Sequence, residues 1–378
     1  MIIVVNTRLL VHNRLDGIGR FAYETLRRIT QKQQDVNFVF LFDRQIHEDF
    51  VFSENITPAK IFPPARRPWL YNWWLNISVA NVLRDLQPDL FLSPDGYLPL
   101  KGNTKCLPVI HDLNFVHYPQ DLPARYSKWY RTKFPLFAKK AERIATVSEY
   151  SKQDIHKQYG IDLSKIDVVY NAPSNGFLPL TPERVTAARI KWSKGDPYFL
   201  YVGSIHPRKN LVRLVKAFAS YKKQHGGTIK LVLTGTPFWK NDPLRNAILE
   251  VPNKEDVIFT GRVSEEEVRE ITGAALALTY VPYFEGFGIP LVEAMACDVP
   301  IINSNVTAMP EVAEEAALYC DPFSVESIAE AMHTIANSPD LRETLVAKGR
   351  IQREKFSWDK SADKLWESMQ KAMGHVKA

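Results

Sequence analysis

Cysteine is scarce in this chain of 378 residues. The three cysteines, Cys106, Cys297 and Cys320, are odd in number and far apart, so they suit neither a disulfide framework nor the short spacings of a zinc site. Their scarcity argues against a small secreted domain stabilised by disulfides. We therefore expect a protein of a reducing compartment.

A long hydrophobic run is also missing. No apolar stretch is long enough to cross a bilayer. The first residues, MIIVV, enter a strand pattern directly, where a signal peptide would place a basic segment before an apolar one. A cytoplasmic protein is the resulting expectation.

The second half of the chain has no excess of charge of either sign. The net charge of +6 arises in residues 1–175, which hold 23 basic and 17 acidic side chains. Nucleic acid or an anionic membrane would account for a basic half, but such a surplus is also ordinary for a globular domain. We predict no nucleic-acid partner, and a weak peripheral attraction to the inner membrane surface because of where the aromatic residues lie.

Two aromatic–basic stretches lie in this half, residues 66–74 (RRPWLYNWW) and 125–134 (RYSKWYRTKF). Tryptophan and tyrosine beside arginine and lysine suit a membrane interface, or an acceptor that is carried on a lipid. Aromatic residues at helical spacing more often pack in a core or between domains. The sequence leaves both alternatives open.

Apolar strands alternate with amphipathic helices through both halves of the chain. This alternation is typical of parallel sheets covered by helices, and the length exceeds that of one average domain. We predict an α/β protein with two doubly wound, Rossmann-like domains, over residues 1–174 and 175–355, and a C-terminal helical segment over residues 356–378.

The most informative segment is residues 285–293 (EGFGIPLVE). It follows a predicted buried strand at residues 274–281 and leads into a helix from Leu291. Glycines between a strand and a helix let an anion approach free backbone N–H groups, and the carboxylates of Glu285 and Glu293 accept hydrogen bonds from vicinal hydroxyls. The segment suits a ligand with phosphate and sugar groups; a glycine turn between two surface glutamates is the alternative.

A second strand–loop–helix segment starts with the predicted strand at residues 198–202. Its loop, GSIHPRKN, carries Arg208 and Lys209 just before a helix from Leu211. Two cations at a helix start neutralise a pyrophosphate leaving group. A basic pair on the surface is the alternative interpretation.

Two features of the first half follow predicted strands. Gly17 and Gly19 lie in the loop after the first strand, but they do not complete the dinucleotide fingerprint G-x-G-x-x-G. His111 follows the strand at residues 105–110, at the strand end where parallel sheets bind ligands. With Asp112 it suits general-acid chemistry, a zinc ligand pair or a structural turn.

The spacing E-x7-E, with its glycines, resembles the segment typical of the retaining GT-B glycosyltransferases of family 4. The resemblance covers most of the chain and implies the GT-B architecture, in which two domains face a central cleft and the C-terminal helix crosses back to the first. It implies catalytic roles for His111, Arg208, Lys209 and Glu285. It also implies a set of donor-binding residues: Gly17, Gly19, Ser204, Thr234, Gly235, Arg262, Val263, Gly286, Phe287, Gly288, Ile289 and Glu293.

The roles that the resemblance implies are distinct. Glu293 holds the ribose hydroxyls, Glu285 holds sugar hydroxyls, and His111 contacts the transferred sugar. Many members have an arginine directly after the loop glycine, where this chain has Ser204; Arg208 is the residue that would replace that charge.

No two aspartates have the D-x-D spacing that clamps a metal-bound diphosphate. We therefore expect no metal ligand and no cofactor, with the nucleotide sugar as a substrate of a hexosyltransferase that retains anomeric configuration. Residues 111–114 (HDLN) and 207–210 (PRKN) resemble those of bacterial mannosyltransferases, so GDP-mannose is the expected donor and a glycan or lipid-linked hydroxyl the acceptor. The alternatives are a UDP-sugar donor, a nucleotide-sugar epimerase, a phosphorylase and a non-catalytic nucleotide-sugar-binding module.

Overall fold

The computed structural model describes residues 1–65, 68–236 and 242–375, without the side chains of residues 68, 69 and 242. The chain forms two compact units. The first unit comprises Met1–Asn171 and Ser357–Ala378, and the second comprises Ala172–Phe356. Each unit is built on its own parallel sheet.

The strands of the first unit are β1 (Ile2–Asn6), β2 (Asn37–Phe42), β3 (Ile56–Lys60), β4 (Leu90–Ser93), β5 (Cys106–Pro108), β6 (Ile144–Thr146) and β7 (Ile166–Val168). The first five form a parallel sheet in the order β3-β2-β1-β4-β5, and β6 pairs with β7. A bridge between Val109 and Ala145 joins the two sheets. The central strands are continuous apolar runs, as expected for strands buried on both faces.

The helices that accompany these strands are α1 (Gly17–Lys32), α2 (Pro68–Trp73), α3 (Ala80–Leu86), α4 (Asn114–His117), α5 (Ala124–Lys140) and α6 (Glu149–Tyr159). A π-helical segment, Trp74–Val79, connects α2 to α3. Helix α1 begins at Gly17 because the Asp16 carboxylate accepts a hydrogen bond from the N–H of Gly19 at 2.9 Å. Gly17 and Gly19 therefore lie in the first helical turn, which corrects the prediction that they lie in the loop after the first strand.

The strands of the second unit are β8 (Tyr198–Val202), β9 (Lys230–Thr234), β10 (Val257–Gly261), β11 (Ala277–Tyr280), β12 (Ile301–Ser304) and β13 (Leu318–Cys320). They form one sheet in the order β10-β9-β8-β11-β12-β13. The helices are α7 (Pro182–Ser193), α8 (Leu211–His225), α9 (Asp242–Leu249), α10 (Glu265–Gly273), α11 (Ile289–Ala296), α12 (Met309–Ala313), α13 (Val325–Asn337) and α14 (Pro339–Gln352).

The last helix, α15 (Trp358–Met373), belongs to the first unit and packs against α1. The rings of Phe21 and Trp358 meet edge to face at 6.3 Å. Lys32 forms a 2.6 Å ion pair with Asp363 along the same contact. The chain thus returns to its first unit after completing the second.

Strand β3 and helices α4, α7 and α9 are among the described elements that the sequence did not predict. Strand β3 lies at the edge of its sheet and contains Pro58, a residue that only an edge position tolerates. Among the described side chains, α7 buries Ala188 and Ser193, and α9 buries Leu244 and Ala247. An apolar stripe this narrow leaves little helical periodicity to detect.

Most rings of the aromatic–basic stretches that the structure describes pack in the core of the first unit. Trp74 and Phe134 are buried there, and Trp129 packs against the same core. Trp73, by contrast, is 51% exposed. The predictions at positions 66 and 67, and for the side chain of residue 69, lie outside what the structure describes. In the described part of the chain, no helix has the length and apolar character needed to cross a bilayer.

Candidate functional site

Both sheets have a strand order that reverses at one point. The chain runs from β1 outward to β2 and β3 and then continues on the other side with β4; likewise it runs from β8 to β9 and β10 and then continues with β11. In doubly wound sheets, ligands bind outside the carboxyl ends of the strands at such a reversal point. The loops after β1 and β4, and those after β8 and β11, are therefore the candidate sites.

In the second unit, the loops after β8, β9 and β10 touch through their backbones. The N–H of Gly203 donates to Thr234 O, and the N–H of Gly235 donates to Gly261 O, both at 2.9 Å. Gly235 has a φ of +146°, and a Cβ atom there would lie 1.8 Å from the carbonyl oxygen of Gly203. Glycine is thus required at position 235, because any side chain would push these loops apart.

The loop after β8 continues through Ser204 into a 3-10 turn, Pro207–Lys209, just before α8. Asn210 fixes this turn with its side-chain amide, which donates to Val281 O at 3.0 Å and to Pro322 O at 2.6 Å. The turn is therefore tied to the loop after β11. The sequence suggested no role for Asn210 by itself; its place directly after two cations and before a helix was the available signal. Its φ of +66° is a property of the folded turn.

Arg208, Lys209 and Glu285 meet at the second reversal point. Arg208 Nη1 lies 2.6 Å from Glu285 Oε2 and also donates to Phe284 O at 3.1 Å. Lys209 Nζ contacts the same carboxylate oxygen and the hydroxyl of Tyr280, and this hydroxyl donates to Glu285 Oε2 at 3.1 Å. Two cations thus share one carboxylate, which leaves the cluster with a net positive charge.

The electrostatics of neighbouring groups follow from this charge. Burial alone would raise the pKa of Glu285, but Arg208 and Lys209 outweigh it and lower the pKa to about 2. Burial lowers the pKa of His206, and the same two cations lower it further, to about 4. His206 is therefore neutral at pH 7, and the excess charge at the reversal point comes from Arg208 and Lys209.

Residues 285–293 form the predicted strand–loop–helix arrangement. Gly288 precedes α11 with a φ of +90°, and Phe287 is buried with its ring edge-on to Phe356 at 5.5 Å. Ile289 and Glu293 are half-buried and lie four residues apart, so they share one face of α11. Gly286 is buried between the Glu285 carboxylate and this helix start.

Several buried polar atoms near the carboxyl ends of these strands have no hydrogen-bond partner among the described residues. They are Thr234 Oγ1 at the end of β9, Thr279 Oγ1 in β11, and Asn303 Oδ1 and Ser304 Oγ in β12. A buried polar atom without a partner costs free energy that a bound ligand recovers. Of these residues, only Thr234 was predicted from the sequence to bind the donor; a polar residue within the last two positions of an apolar strand was the signal for the others.

Two predicted donor residues lie farther along the sheet. Arg262 and Val263 follow β10, which is the edge strand and is separated from β8 by β9. Arg262 is exposed and Val263 is half-buried. They precede α10, which Ser264 and Glu267 cap reciprocally in the predicted capping box.

In the first unit, His111 follows β5 and faces the start of α1. Its ring meets Phe21 edge to face at 5.2 Å, and its Nε2 lies 2.9 Å from Pro94 O. Because a carbonyl only accepts, Nε2 carries the proton and Nδ1 is an acceptor. Burial lowers the pKa of His111 despite the nearby Asp112 and Asp16, so the ring is neutral at pH 7.

The first reversal point holds an ion pair that sequence analysis missed. Arg8, two residues after β1, binds Asp95 Oδ2 through Nη2 at 2.6 Å and Nε at 3.1 Å. The guanidinium lies between the rings of Tyr71 and Tyr97, 4.7 and 4.8 Å from their centroids, and Asn6 donates to Asp95 Oδ1 at 2.8 Å. Polar residues directly after two buried strands were the available signal.

Two family models match consecutive parts of the chain and together cover most of it. The model for glycosyl transferases group 1 matches residues 184–352, and the model for glycosyltransferase family 4 matches residues 15–172. O-antigen chain mannosyltransferase B of Escherichia coli is 26% identical over 91% of this chain and 93% of its own length. O-antigen chain mannosyltransferase RfbU of Salmonella typhimurium is 28% identical over 86% of this chain and 89% of its own length.

Solved structures share the fold over the full chain. Sucrose-phosphate synthase from Thermosynechococcus elongatus superimposes with a TM-score of 0.78 at 17% identity, covering 99% of this chain and 100% of that one. WaaG, a glycosyltransferase involved in lipopolysaccharide biosynthesis, gives a TM-score of 0.72 at 16% identity with full coverage of both chains. These likenesses, together with the two parallel sheets, show the predicted GT-B fold.

Proposed function

The chain belongs to the glycosyltransferases of group 1 and family 4, and we propose that it transfers mannose from GDP-mannose to a hydroxyl of a glycan or lipid-linked acceptor, with retention of anomeric configuration and without a metal ion. The observation that carries this proposal is the Arg208–Lys209–Glu285 cluster at the second reversal point. The choice of mannose rests on the relatives described above, which are O-antigen chain mannosyltransferases.

The excess positive charge of the cluster suits a nucleoside diphosphate. A diphosphate competes with Glu285 for Arg208 and Lys209, because both cations bind anionic oxygens and Arg208 does so in a directional way. The carboxylate that is displaced then accepts hydrogen bonds from sugar hydroxyls. Glu293, on the exposed side of the same segment, is the proposed acceptor for the ribose hydroxyls.

The proposed reaction breaks the bond between the sugar C1 and the phosphate oxygen. Negative charge grows on the departing diphosphate, and Arg208 and Lys209 stabilise it from positions that they already hold. The acceptor oxygen forms its bond to C1 on the same face, and its proton passes to the leaving phosphate oxygen. His111, a neutral ring whose Nδ1 is an acceptor, is the proposed contact for a sugar hydroxyl.

A thermal-shift screen against GDP, UDP, ADP and their sugar conjugates tests the donor, since a ligand of the folded state raises its melting temperature. We expect shifts with GDP and GDP-mannose. Shifts with UDP compounds alone would show that the donor is a UDP-sugar and would leave the assignment as a glycosyltransferase unchanged. No shift with any nucleotide would contradict the proposed nucleotide site. Arg208→Ala is expected to lose the shift, whereas Arg84→Ala, at a side chain 70% exposed, is expected to keep it.

Product analysis separates the remaining alternatives. We expect turnover only with an acceptor, retained configuration in the NMR spectrum of the new glycoside, and unchanged turnover after EDTA treatment. Conversion of the sugar nucleotide without an acceptor would indicate an epimerase. Binding without release of nucleotide diphosphate would indicate a non-catalytic module.

A surface of the first unit supports peripheral attachment to an anionic membrane. Trp73 and Ile77, 51% and 47% exposed, line one surface concavity with Lys101 and Lys133. Aromatic and aliphatic side chains beside lysines suit the interface of an anionic bilayer. We expect co-flotation with anionic liposomes that falls in Trp73→Ala and persists in Ile190→Ala, which removes a 65% exposed side chain of the second unit. Equal flotation of the two variants would reject this surface.

A further inference from the structure

A cluster of two imidazoles and one carboxylate lies on the first unit and contains none of the residues assigned above. His12 belongs to the loop between β1 and α1, whereas His47 and Asp49 follow β2, with Asp49 in the 3-10 turn Glu48–Phe50. One nitrogen or oxygen atom from each of the three side chains lies within 4.8 Å of the other two. Among the residues that the structure describes, no other set of histidine, cysteine or acidic side chains converges in this way.

The geometry of this His12–His47–Asp49 cluster is close to that of a zinc site. Asp49 Oδ2 lies 2.8 Å from His12 Nδ1 and 3.1 Å from His47 Nδ1. Bonds of about 2.0–2.1 Å to zinc place the ligand atoms of a tetrahedral site roughly 3.3 Å apart. An outward movement of a few tenths of an ångström makes room for an ion among the three atoms, provided that one imidazole also turns out of its stack with the other, because each ring binds a metal in its own plane.

The two segments that carry these side chains are anchored independently of any ion. Leu10 and Phe50 are buried next to the cluster, and Thr7 Oγ1 donates to Leu41 O at 2.9 Å, which ties the start of the His12 loop to β2. The rings of His12 and His47 already stack, with centroids 3.6 Å apart and planes 14° apart. The backbone thus brings the three side chains together before an ion arrives.

The three side chains remain accessible to solvent. His12, His47 and Asp49 are 41%, 38% and 52% exposed. An ion therefore reaches the cluster from water and keeps water in its remaining coordination positions. It would replace the proton-mediated contacts with Asp49 Oδ2 and the long, 3.4 Å bond from Asp49 N–H to His47 Nδ1.

We propose that the His12–His47–Asp49 cluster binds one divalent first-row transition-metal ion of the zinc class, through Nδ1 of both imidazoles and the Asp49 carboxylate. Two nitrogen ligands favour zinc, nickel and copper over magnesium and calcium, which require sets of oxygen ligands. The ion would cross-link the loops after the adjacent strands β1 and β2. The site shares no residue with the proposed glycosyl-transfer site, and an ion there would hold the loop that leads into α1.

Calorimetric titration of the untagged, EDTA-stripped protein with zinc chloride tests the proposal. We expect one ion per chain, a higher melting temperature with zinc, and no response to magnesium. His12→Ala and Asp49→Asn are each expected to weaken zinc binding at least about tenfold.

The second unit supplies a matched control. His225 and His333 also stack, with centroids 3.8 Å apart and planes 18° apart, but they are not part of a converging set of three ligands. His225→Ala is therefore expected to bind zinc like the wild type. Equal loss of binding in His225→Ala and His12→Ala, or unchanged binding in His12→Ala, would overturn the proposal.

Cobalt provides a readout of coordination that does not depend on affinity. Cobalt bound at a site of low coordination number absorbs visible light far more strongly than the hydrated ion. We expect such bands in the wild type and in His225→Ala, and their loss in His47→Ala. Far-ultraviolet circular dichroism of the metal-free variants shows whether His47→Ala is folded, and bands that persist in the folded variant would contradict the assignment of His47 as a ligand.

Discussion

The two units share one strand order, yet the ion clusters at their reversal points differ in charge. In the first unit, the single cation Arg8 faces the single carboxylate Asp95 between two tyrosine rings. In the second unit, Arg208 and Lys209 both contact the carboxylate of Glu285. The first cluster pairs one cation with one carboxylate, whereas the second places two cations around one carboxylate.

We propose that this difference separates a structural ion pair from a binding site. A buried pair of matched charges, with its hydrogen bonds satisfied, has no need of a further partner. A cluster with one excess cation at the end of a parallel sheet favours an anion, and buried hydroxyls without partners near it favour a polar ligand. The same topology thus serves stability in the first unit and, as we propose, diphosphate binding in the second.

The largest effect on stability is expected when the balanced pair is broken. Arg8→Ala leaves the Asp95 carboxylate buried without its cation, which costs about 3–5 kcal/mol of unfolding free energy. Urea unfolding followed by circular dichroism measures this loss. The control is Arg84→Ala, whose ion pair with Asp85 is exposed and contributes little. A loss below about 1 kcal/mol in Arg8→Ala would mean that Arg8 is not a structural residue.

The opposite pattern is expected for the unbalanced cluster. Lys209→Ala leaves Glu285 paired with Arg208, so the protein stays folded, but the diphosphate loses one stabilising cation in the transition state. We expect turnover to fall by about 10²–10³-fold, the usual cost of removing one such group. Release of nucleotide diphosphate measures turnover. Lys216→Ala, at a half-exposed side chain of helix α8, is the control.

Two outcomes contradict this assignment of Lys209. Unchanged turnover in Lys209→Ala would show that Lys209 does not stabilise the leaving diphosphate. A melting temperature that falls as far as that of Arg8→Ala would make it a structural residue, and the contrast between the two reversal points would then disappear.

The pH dependence of stability sharpens the comparison further. The pKa of Glu285 is about 2 in the folded protein, below its ordinary value of 4.5, so the carboxylate stabilises the fold above pH 4.5 and loses this contribution as the pH falls toward 2. We expect wild-type unfolding free energy to fall by about 3 kcal/mol more than that of Glu285→Gln over this window. Glu250→Gln, at a side chain 48% exposed, is the control. Parallel curves for Glu285→Gln and the wild type would show that Glu285 is not held by its cations.

The sequence was sufficient to predict what depends on local pattern. Alternating strands and helices indicated two doubly wound domains, and the spacing of Glu285, Gly288 and Glu293 indicated a glycine loop before a helix. The contact of Arg208 and Lys209 with Glu285 was not predictable in this way, because it joins loops that are more than seventy residues apart. The sequence suggested that Arg208 and Lys209 bind a diphosphate. The structure shows both side chains in contact with Glu285, the carboxylate that was predicted to hold the sugar.

The first unit shows why the remaining features were missed. Arg8 and Asp95 lie 87 residues apart, and each alone is an ordinary polar residue after a strand. The His12–His47–Asp49 cluster depends on the pairing of β1 with β2, which places two loops side by side. The residue pattern within one segment gives no information on which distant segment it pairs with. The sequence could therefore predict only those contacts whose partners are close in the chain.

The smallest expected effect concerns two buried threonines at strand ends. Thr146 Oγ1, at the end of β6 in the first unit, donates to Ile110 O at 2.7 Å, whereas Thr234 Oγ1 has no partner among the described residues. Valine has nearly the shape of threonine without its hydroxyl. Thr146→Val should therefore lose about 1 kcal/mol of unfolding free energy, and Thr234→Val should gain about as much in the absence of ligand.

The same pair of variants tests whether the unsatisfied hydroxyl serves a ligand. If the donor hydrogen-bonds to Thr234, then Thr234→Val should show a smaller thermal shift with GDP-mannose than the wild type, despite its higher melting temperature without ligand. Thr146→Val should show the wild-type shift from a lower starting temperature. A gain in stability with an unchanged shift would leave Thr234 as a packing residue, and a loss of stability would mean that its hydroxyl is satisfied in the ligand-free protein.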